Sequence, residues 1–211
     1  MDQQLSERLA DLKVVPVVTL PDAALADPLG ATLTAAGLPI AEITFRSAAA
    51  ADSIAALRAR HPDVLVGAGT VLDPATVDLA ADAGARFVVT PGFNPDVVAR
   101  CRARGLPVVP GVNNPTALEA ARAQGLTLLK YFPAEASGGL KLLDAMAAPY
   151  GDVTFMPTGG ITPDNLSDYL ARPHVTACGG TWIATAARLA AGDFDAIGTA
   201  ARAARDSAAR A

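Results

Sequence analysis

Residues 64–91 read VLVGAGTVLDPATVDLAADAGARFVVTP, and the order of residue types in this stretch sets the reading of the chain. Val64–Thr70 is a short apolar run of small and β-branched residues, the kind buried on both faces of a parallel sheet. Asp73-Pro74 then pairs a capping side chain with a proline suited to the first helical position. The residues up to Ala83 read as helix, and Gly84 is the residue type that ends helices best. Phe87–Pro91 opens a second apolar run.

The same unit recurs on either side. Further apolar runs are Val14–Leu20, Ile40–Phe45, Pro107–Gly111, Thr127–Phe132, Thr154–Gly160 and Val175–Thr181. Helical stretches lie at Ala48–Arg60, Pro95–Arg104, Thr116–Gln124 and Gly138–Ala147. Asn94-Pro95, Asn114-Pro115 and Thr162-Pro163 read as helix starts, and Gly37, Gly105 and Gly125 as stops. Eight strands alternating with helices predict an α/β fold, a (β/α)8 TIM barrel with right-handed connections. It forms a single domain over residues 1–211 with a short N-terminal helix, and Asp193–Ala211 reads as a last helix or a frayed tail. An open doubly wound sheet is the alternative. It would carry a glycine fingerprint after the first strand, where this chain has Pro21-Asp22.

The 211 residues are 51% hydrophobic but only 5% aromatic, so the core must be built from Val, Leu, Ile and Ala. A net charge of −4 and a pI near 5.1 argue against a broad nucleic-acid surface, while a local basic site can still hold a small anion. Two histidines, His61 and His174, are too few for a zinc cluster and disfavour a Ser-His-Asp triad, and no metal is expected. Each stands beside a proline and reads as a surface loop residue. Cys101 and Cys178 form no metal or redox motif and read as reduced thiols in a cytoplasmic protein. The first residues mix both charge signs without the apolar core of a signal peptide, and no apolar run approaches the roughly 20 residues that cross a bilayer.

Barrel enzymes place their chemistry at the C-terminal ends of the strands. Three groups of residues fall there. In Glu42-Ile43-Thr44-Phe45-Arg46, alternation puts Glu42, Thr44 and Arg46 on one face and Ile43 and Phe45 on the other. Inward charges must pair or serve a site, so this is either a buried Glu42–Arg46 salt bridge or part of a reactive centre. In Leu128-Leu129-Lys130-Tyr131-Phe132-Pro133, Lys130 is one of three lysines against fourteen arginines. A desolvated lysine can lose its proton and attack a carbonyl, which arginine cannot. A lysine reaching solvent from a strand end is the other reading. The third group is a set of glycine turns, Gly67-Ala68-Gly69-Thr70, Pro157-Thr158-Gly159-Gly160 and Cys178-Gly179-Gly180-Thr181. The last two end strands seven and eight, where bare backbone N–H groups can meet a phosphate and Thr162-Pro163 would open an anion-favouring helix.

With these runs, together with Val15-Pro16-Val17, Thr90-Pro91-Gly92, Lys130-Tyr131-Phe132-Pro133-Ala134-Glu135 and Pro157-Thr158-Gly159-Gly160-Ile161, the sequence resembles the 2-keto-3-deoxy-6-phosphogluconate aldolases, many of which also act on 4-hydroxy-2-oxoglutarate. The resemblance runs over most of the chain. It implies that Lys130 forms the Schiff base and that Glu42 is the acid and base. It implies that Arg46 and Thr70 hold the keto-acid carboxylate, that Pro91 and Phe132 wall the pocket, and that Gly159, Gly160 and Thr181 receive the phosphate. It also implies a homotrimer with no cofactor, a phosphorylated keto-acid substrate, and no nucleic-acid or membrane partner. The chain departs from the family at Asn113-Asn114, expected to face the barrel mouth, and at Thr181, where serine is usual and the hydroxyl is kept. Two other functions fit the barrel without the resemblance: a phosphosugar isomerase or synthase, and a non-catalytic barrel that binds phosphorylated metabolites. Neither needs a lysine positioned for an imine.

Overall fold

The computed structural model describes residues 2–211, and its strands sit inside the apolar runs except at Val112, one residue past the run Pro107–Gly111. They are β1 Val14–Val18, β2 Ile40–Thr44, β3 Leu65–Gly69, β4 Phe87–Val89, β5 Val108–Val109, β6 Gly111–Val112, β7 Leu128–Tyr131, β8 Thr154–Phe155 and β9 Cys178–Gly180. One sheet has the order β5-β4-β3-β2-β1-β9 and a second the order β6-β7-β8, with every pairing parallel. Parallel neighbours require a crossover, and a helix follows nearly every strand. All five residues of β1 and all five of β2 are buried, as expected of strands covered on both faces. The result is an α/β fold whose parallel strands form a half-barrel.

The predicted strand Pro107–Gly111 is divided at Pro110. Proline has no N–H to give the ladder. The Pro110 carbonyl accepts from Lys130 N at 2.8 Å, and Gly111 pairs in register with Lys130. Residues before Pro110 thus pair with β4 and those after it with β7. Isolated parallel bridges, Phe155 with Val175 and Thr158 with Gly179, connect the far ends of the two sheets.

The capping prolines mark three helices correctly: Pro74–Asp82, Pro95–Ala103 and Pro115–Ala123 begin after Asp73, Asn94 and Asn114, each of whose side chains accepts from a first-turn N–H. Thr162-Pro163 is a correction. The helix there begins at Leu166, and a turn occupies Pro163–Asn165. The histidines also differ from expectation. His61 bonds Asp27 at 2.9 Å, His174 lies 3.1 Å from Asp144, and both rings are mostly buried.

The helix Asp2–Leu12 buries Leu5 and Leu9 at the N-terminal end of the strands. The residues after Asp193 form a full helix, Phe194–Ala208, with Ile197, Ala201, Ala204 and Ala208 buried. Lys13 Nζ donates to the Ala208 carbonyl at 3.1 Å, a cation at a helix C-terminus. Among the described residues no helix is long and apolar enough to cross a membrane.

The pair Asn113-Asn114 is tied down locally. Asn114 Oδ1 accepts from Ala117 N at 2.9 Å, and Asn113 Nδ2 donates to Ser137 Oγ at 3.3 Å. Asn114→Ala should therefore lower stability by about 1 kcal/mol through the lost cap, read as a shift in urea midpoint. A midpoint equal to that of the parent would refute the capping role.

Candidate active site

Glu42 is on β2 and Lys130 on β7, from different sheets and 88 residues apart in sequence, yet their side chains meet. Lys130 Nζ lies 3.3 Å from Glu42 Oε1, with Glu42 0% and Lys130 5% exposed. The Glu42–Arg46 salt bridge left open by the sequence does not form; lysine takes its place. Glu42 Oε2 is buried with no donor among the described residues. One carboxylate oxygen thus holds the amine while the other keeps an unused acceptor beside it. A buried ion pair is a poor source of stability compared with an apolar pair of similar volume, which favours a chemical reason for its presence. The Phe132 ring stands beside the amine, 5.2 Å from Nζ to centroid.

Small residues make room for this pair. A Cβ added at Gly69 would fall 2.3 Å from Glu42 Oε1, so β3 must present bare backbone there. Glu42 itself pairs in register with Gly67 and Val17. Of the other two lysines, Lys13 is committed to Ala208 and Lys141 is exposed.

The remaining residues implied by the resemblance stand on the same C-terminal rim. Arg46 lies just past β2 and is exposed; its Nε–H donates to Thr44 Oγ1 at 3.2 Å. Thr44 Oγ1 is in turn 2.8 Å from Thr19 Oγ1. Thr70 follows β3 directly, and Pro91 lies beyond β4. Gly159 and Gly160 follow β8, and a Cβ at Gly159 would lie 3.3 Å from the Phe132 ring. Thr181 follows β9 and is exposed. Contacts join Lys130, Glu42, Phe132 and Gly159 into one cluster; Arg46, Thr70, Pro91 and Thr181 stand at strand ends on the same rim.

Several supporting residues were not read from the sequence. Arg188 Nη1 donates to the Trp182 and Ile183 carbonyls at 2.8 and 2.9 Å, bracing the segment after Thr181. Glu135 accepts from the Tyr169 hydroxyl, and burial followed by that bond raises the Tyr169 phenol well above its usual range. Thr158 is buried beside Gly179. Glu135 and Thr158 lay inside quoted motifs; nothing in the sequence distinguished Arg188 from thirteen other arginines. Burial pushes the Cys101 thiol up to about 12, and Cys178 is raised further, which leaves both unreactive. Among the described residues no three His, Cys, Asp or Glu side chains gather as a metal-binding group. A recess lined by Leu5, Pro107, Leu126 and Leu128 lies at the opposite end of the strands and contains no titratable side chain.

A family model described as KDPG and KHG aldolase matches residues 5–200. The chain is 50% identical over 196 residues to a 2-dehydro-3-deoxy-phosphogluconate aldolase of Haemophilus influenzae, covering 93% of this chain and 92% of that protein. It is 40% identical over 184 residues to the KHG/KDPG aldolase of Escherichia coli, covering 87% and 86%. Among solved structures it is similar to the KDPG aldolase of Legionella pneumophila with pyruvate captured as a covalent carbinolamine intermediate. That match has a TM-score of 0.90 and 32% identity over 94% of this chain and 96% of the other.

Thr70 has φ 57°, a left-handed conformation that a β-branched residue adopts only under strain. Thr70→Gly should relieve about 1–2 kcal/mol of that strain. The extra freedom of an unfolded glycine offsets about 0.5–1 kcal/mol of it. Melting temperature is thus expected to hold or rise while kcat/KM falls at least about tenfold with the lost hydroxyl. A variant that melts earlier and keeps full activity would contradict both halves of this assignment.

Proposed function

The chain belongs to the KDPG and KHG aldolase family, and from that premise we propose which atoms carry its reaction. It is a Schiff-base aldolase, a carbon–carbon lyase that splits 2-dehydro-3-deoxy-6-phosphogluconate into pyruvate and glyceraldehyde 3-phosphate. 4-Hydroxy-2-oxoglutarate, which differs in its terminal anion, is a second candidate substrate giving pyruvate and glyoxylate. The observation that supports the residue roles is the buried Lys130–Glu42 pair at 3.3 Å.

In this reading the neutral Lys130 amine attacks the C2 ketone. Glu42, within hydrogen-bond reach, moves the protons that turn the carbinolamine into an iminium with loss of water. The iminium accepts the electrons of the C3–C4 bond as it breaks, and Glu42, directly or through a water, takes the C4 hydroxyl proton as the aldehyde leaves. Protonation of the resulting enamine at C3 and hydrolysis of the imine release pyruvate and restore the amine. The imine is the electron sink, so the scheme calls for neither metal nor cofactor. Arg46, whose Nε is held by Thr44, has its outer guanidinium edge for the substrate carboxylate, with Thr70 at the end of the neighbouring strand β3. Pro91 and Phe132 wall the pocket, and Gly159, Gly160 and Thr181 receive the phosphate. This use of a strand-borne lysine favours the aldolase over a phosphosugar isomerase or a non-catalytic barrel.

Three coarser features extend in the same way. We read the half-barrel as a closed (β/α)8 barrel in a single domain over residues 1–211. Supporting this, β5 and β6 count as one strand across Pro110, and the Thr158–Gly179 bridge joins the other seam. A cytoplasmic location and a phosphorylated keto acid as the only partner, with no nucleic acid or membrane, follow the family reading. A homotrimer is proposed too. Leu72 and Leu79, 58% and 55% exposed and close in sequence, are the large apolar side chains available for self-association. Leu79→Glu should then shift sedimentation from trimer towards monomer; a parent that sediments as a monomer removes this proposal.

Borohydride added with pyruvate is expected to leave a stable reduced adduct on the peptide containing Lys130, and none in Lys130→Arg. Label found instead on the peptides of Lys13 or Lys141 would defeat the assignment of the nucleophile.

A further inference from the structure

The turn after β8 is held from outside by two bonds to its carbonyls. Gly159 O accepts from Glu135 N at 3.0 Å, and Gly160 O accepts from Asn165 Nδ2 at 3.1 Å. Both glycines have positive φ, 95° and 85°. In a trans peptide the C=O and the following N–H point in opposite directions. Fixing the Gly159 and Gly160 carbonyls therefore turns the N–H groups of Gly160 and Ile161 the other way, as two consecutive donors. Neither N–H has a protein acceptor among the described residues.

Asn165 makes a second bond in the same turn: its Oδ1 accepts from Thr162 N at 2.8 Å. The orientation of the amide is fixed, because Thr162 N–H can only donate and the Gly160 carbonyl can only accept. Asn165 occupies the capping position of the helix Leu166–Leu170 but gives that helix no side-chain hydrogen bond. An asparagine there ordinarily caps the first turn. Here both ends of its amide face back onto residues 160 and 162.

We propose that Asn165 is a positioning residue for phosphate recognition: by holding the Gly160 carbonyl outward it aims the Ile161 N–H at the terminal phosphate of the substrate, beside the Gly160 N–H that the bond from Glu135 to Gly159 orients. This rests on the reading that the phosphate sits at Gly159-Gly160. The residue acts only through the turn. It therefore affects the phosphate end of the substrate and leaves the imine end unchanged, which a general loss of stability would not do.

The experiment compares the parent with Asn165→Ala and Asn165→Asp by three readouts. These are inhibition of turnover by inorganic phosphate, the ratio of kcat/KM for phosphorylated over unphosphorylated keto acid, and the pyruvate concentration that half-saturates borohydride trapping. Asn165→Asp keeps the acceptor for Thr162 N–H but replaces the donor to Gly160 O with a second acceptor, so it breaks the one bond at issue. In both variants the phosphate inhibition constant is expected to rise about tenfold and the substrate ratio to fall to match, as for one lost orienting bond. Trapping by pyruvate should stay at the parental concentration. A parent that does not prefer the phosphorylated acid refutes the phosphate assignment and the inference with it. A parent that prefers it, with variants that keep the preference, refutes the inference alone, as does a parallel loss of pyruvate trapping.

Discussion

An amine and a carboxylate meet in the interior between two parallel sheets, and much of the surrounding structure serves to make that tolerable. Burying two charges costs several kcal/mol per ion before their attraction is counted. Lys130 and Glu42 therefore need close approach and little competing bulk. β3 provides this with Gly69, since any side chain there would occupy the space of the carboxylate. On the other side, Pro110 accepts the backbone N–H of Lys130 while withdrawing its own donor from the ladder, so the lysine is fixed at the point where the sheet changes partners. The reactive pair and the break in the strand are consequences of one local arrangement.

In the proposed reading the same logic separates the two ends of the substrate. Side chains would meet the reacting keto acid, Lys130 and Glu42 in the interior and Arg46 and Thr70 at the rim. Backbone would meet the distant anion, at a turn whose carbonyls are held by Asn165 and by the N–H of Glu135. Binding energy from the distant group can then hold the reacting carbons against the amine without adding a charge near it. Arg188 does for the segment after β9 what Asn165 does for the turn after β8, clamping carbonyls from behind.

The sequence revealed the strands because burial on both faces leaves a run of apolar residues, and it revealed Lys130 and Glu42 because each interrupts such a run with a charge. Three helix starts were legible for a covalent reason, the proline after the cap. Thr162-Pro163 carried the same signature and misled: the Asn165 side chain turns back onto Thr162 and Gly160, a turn fills Pro163–Asn165, and the helix starts only at Leu166. The division at Pro110 could have been anticipated from the missing N–H, but its position opposite Lys130 could not, because register between strands is set by packing. The competing Glu42–Arg46 pair had the shorter sequence separation. It lost because the backbone turns after Thr44, which takes Arg46 out to the rim.

The bond from Lys13 to Ala208 and the pairing of β1 with β9 bear on how such a chain is made. The two residues of that bond are 195 apart, and Val14–Pro16 find their partners only at Cys178–Gly180. On a ribosome, β1 emerges before β2 and can recruit it early, but its other edge stays open until β9 has been synthesised. An uncovered apolar strand edge is a template for misassembly. Between the making of β1 and of β9 the nascent protein thus carries a fully buried strand half dressed, and the helix Phe194–Ala208, made later still, fastens the residue just before that strand.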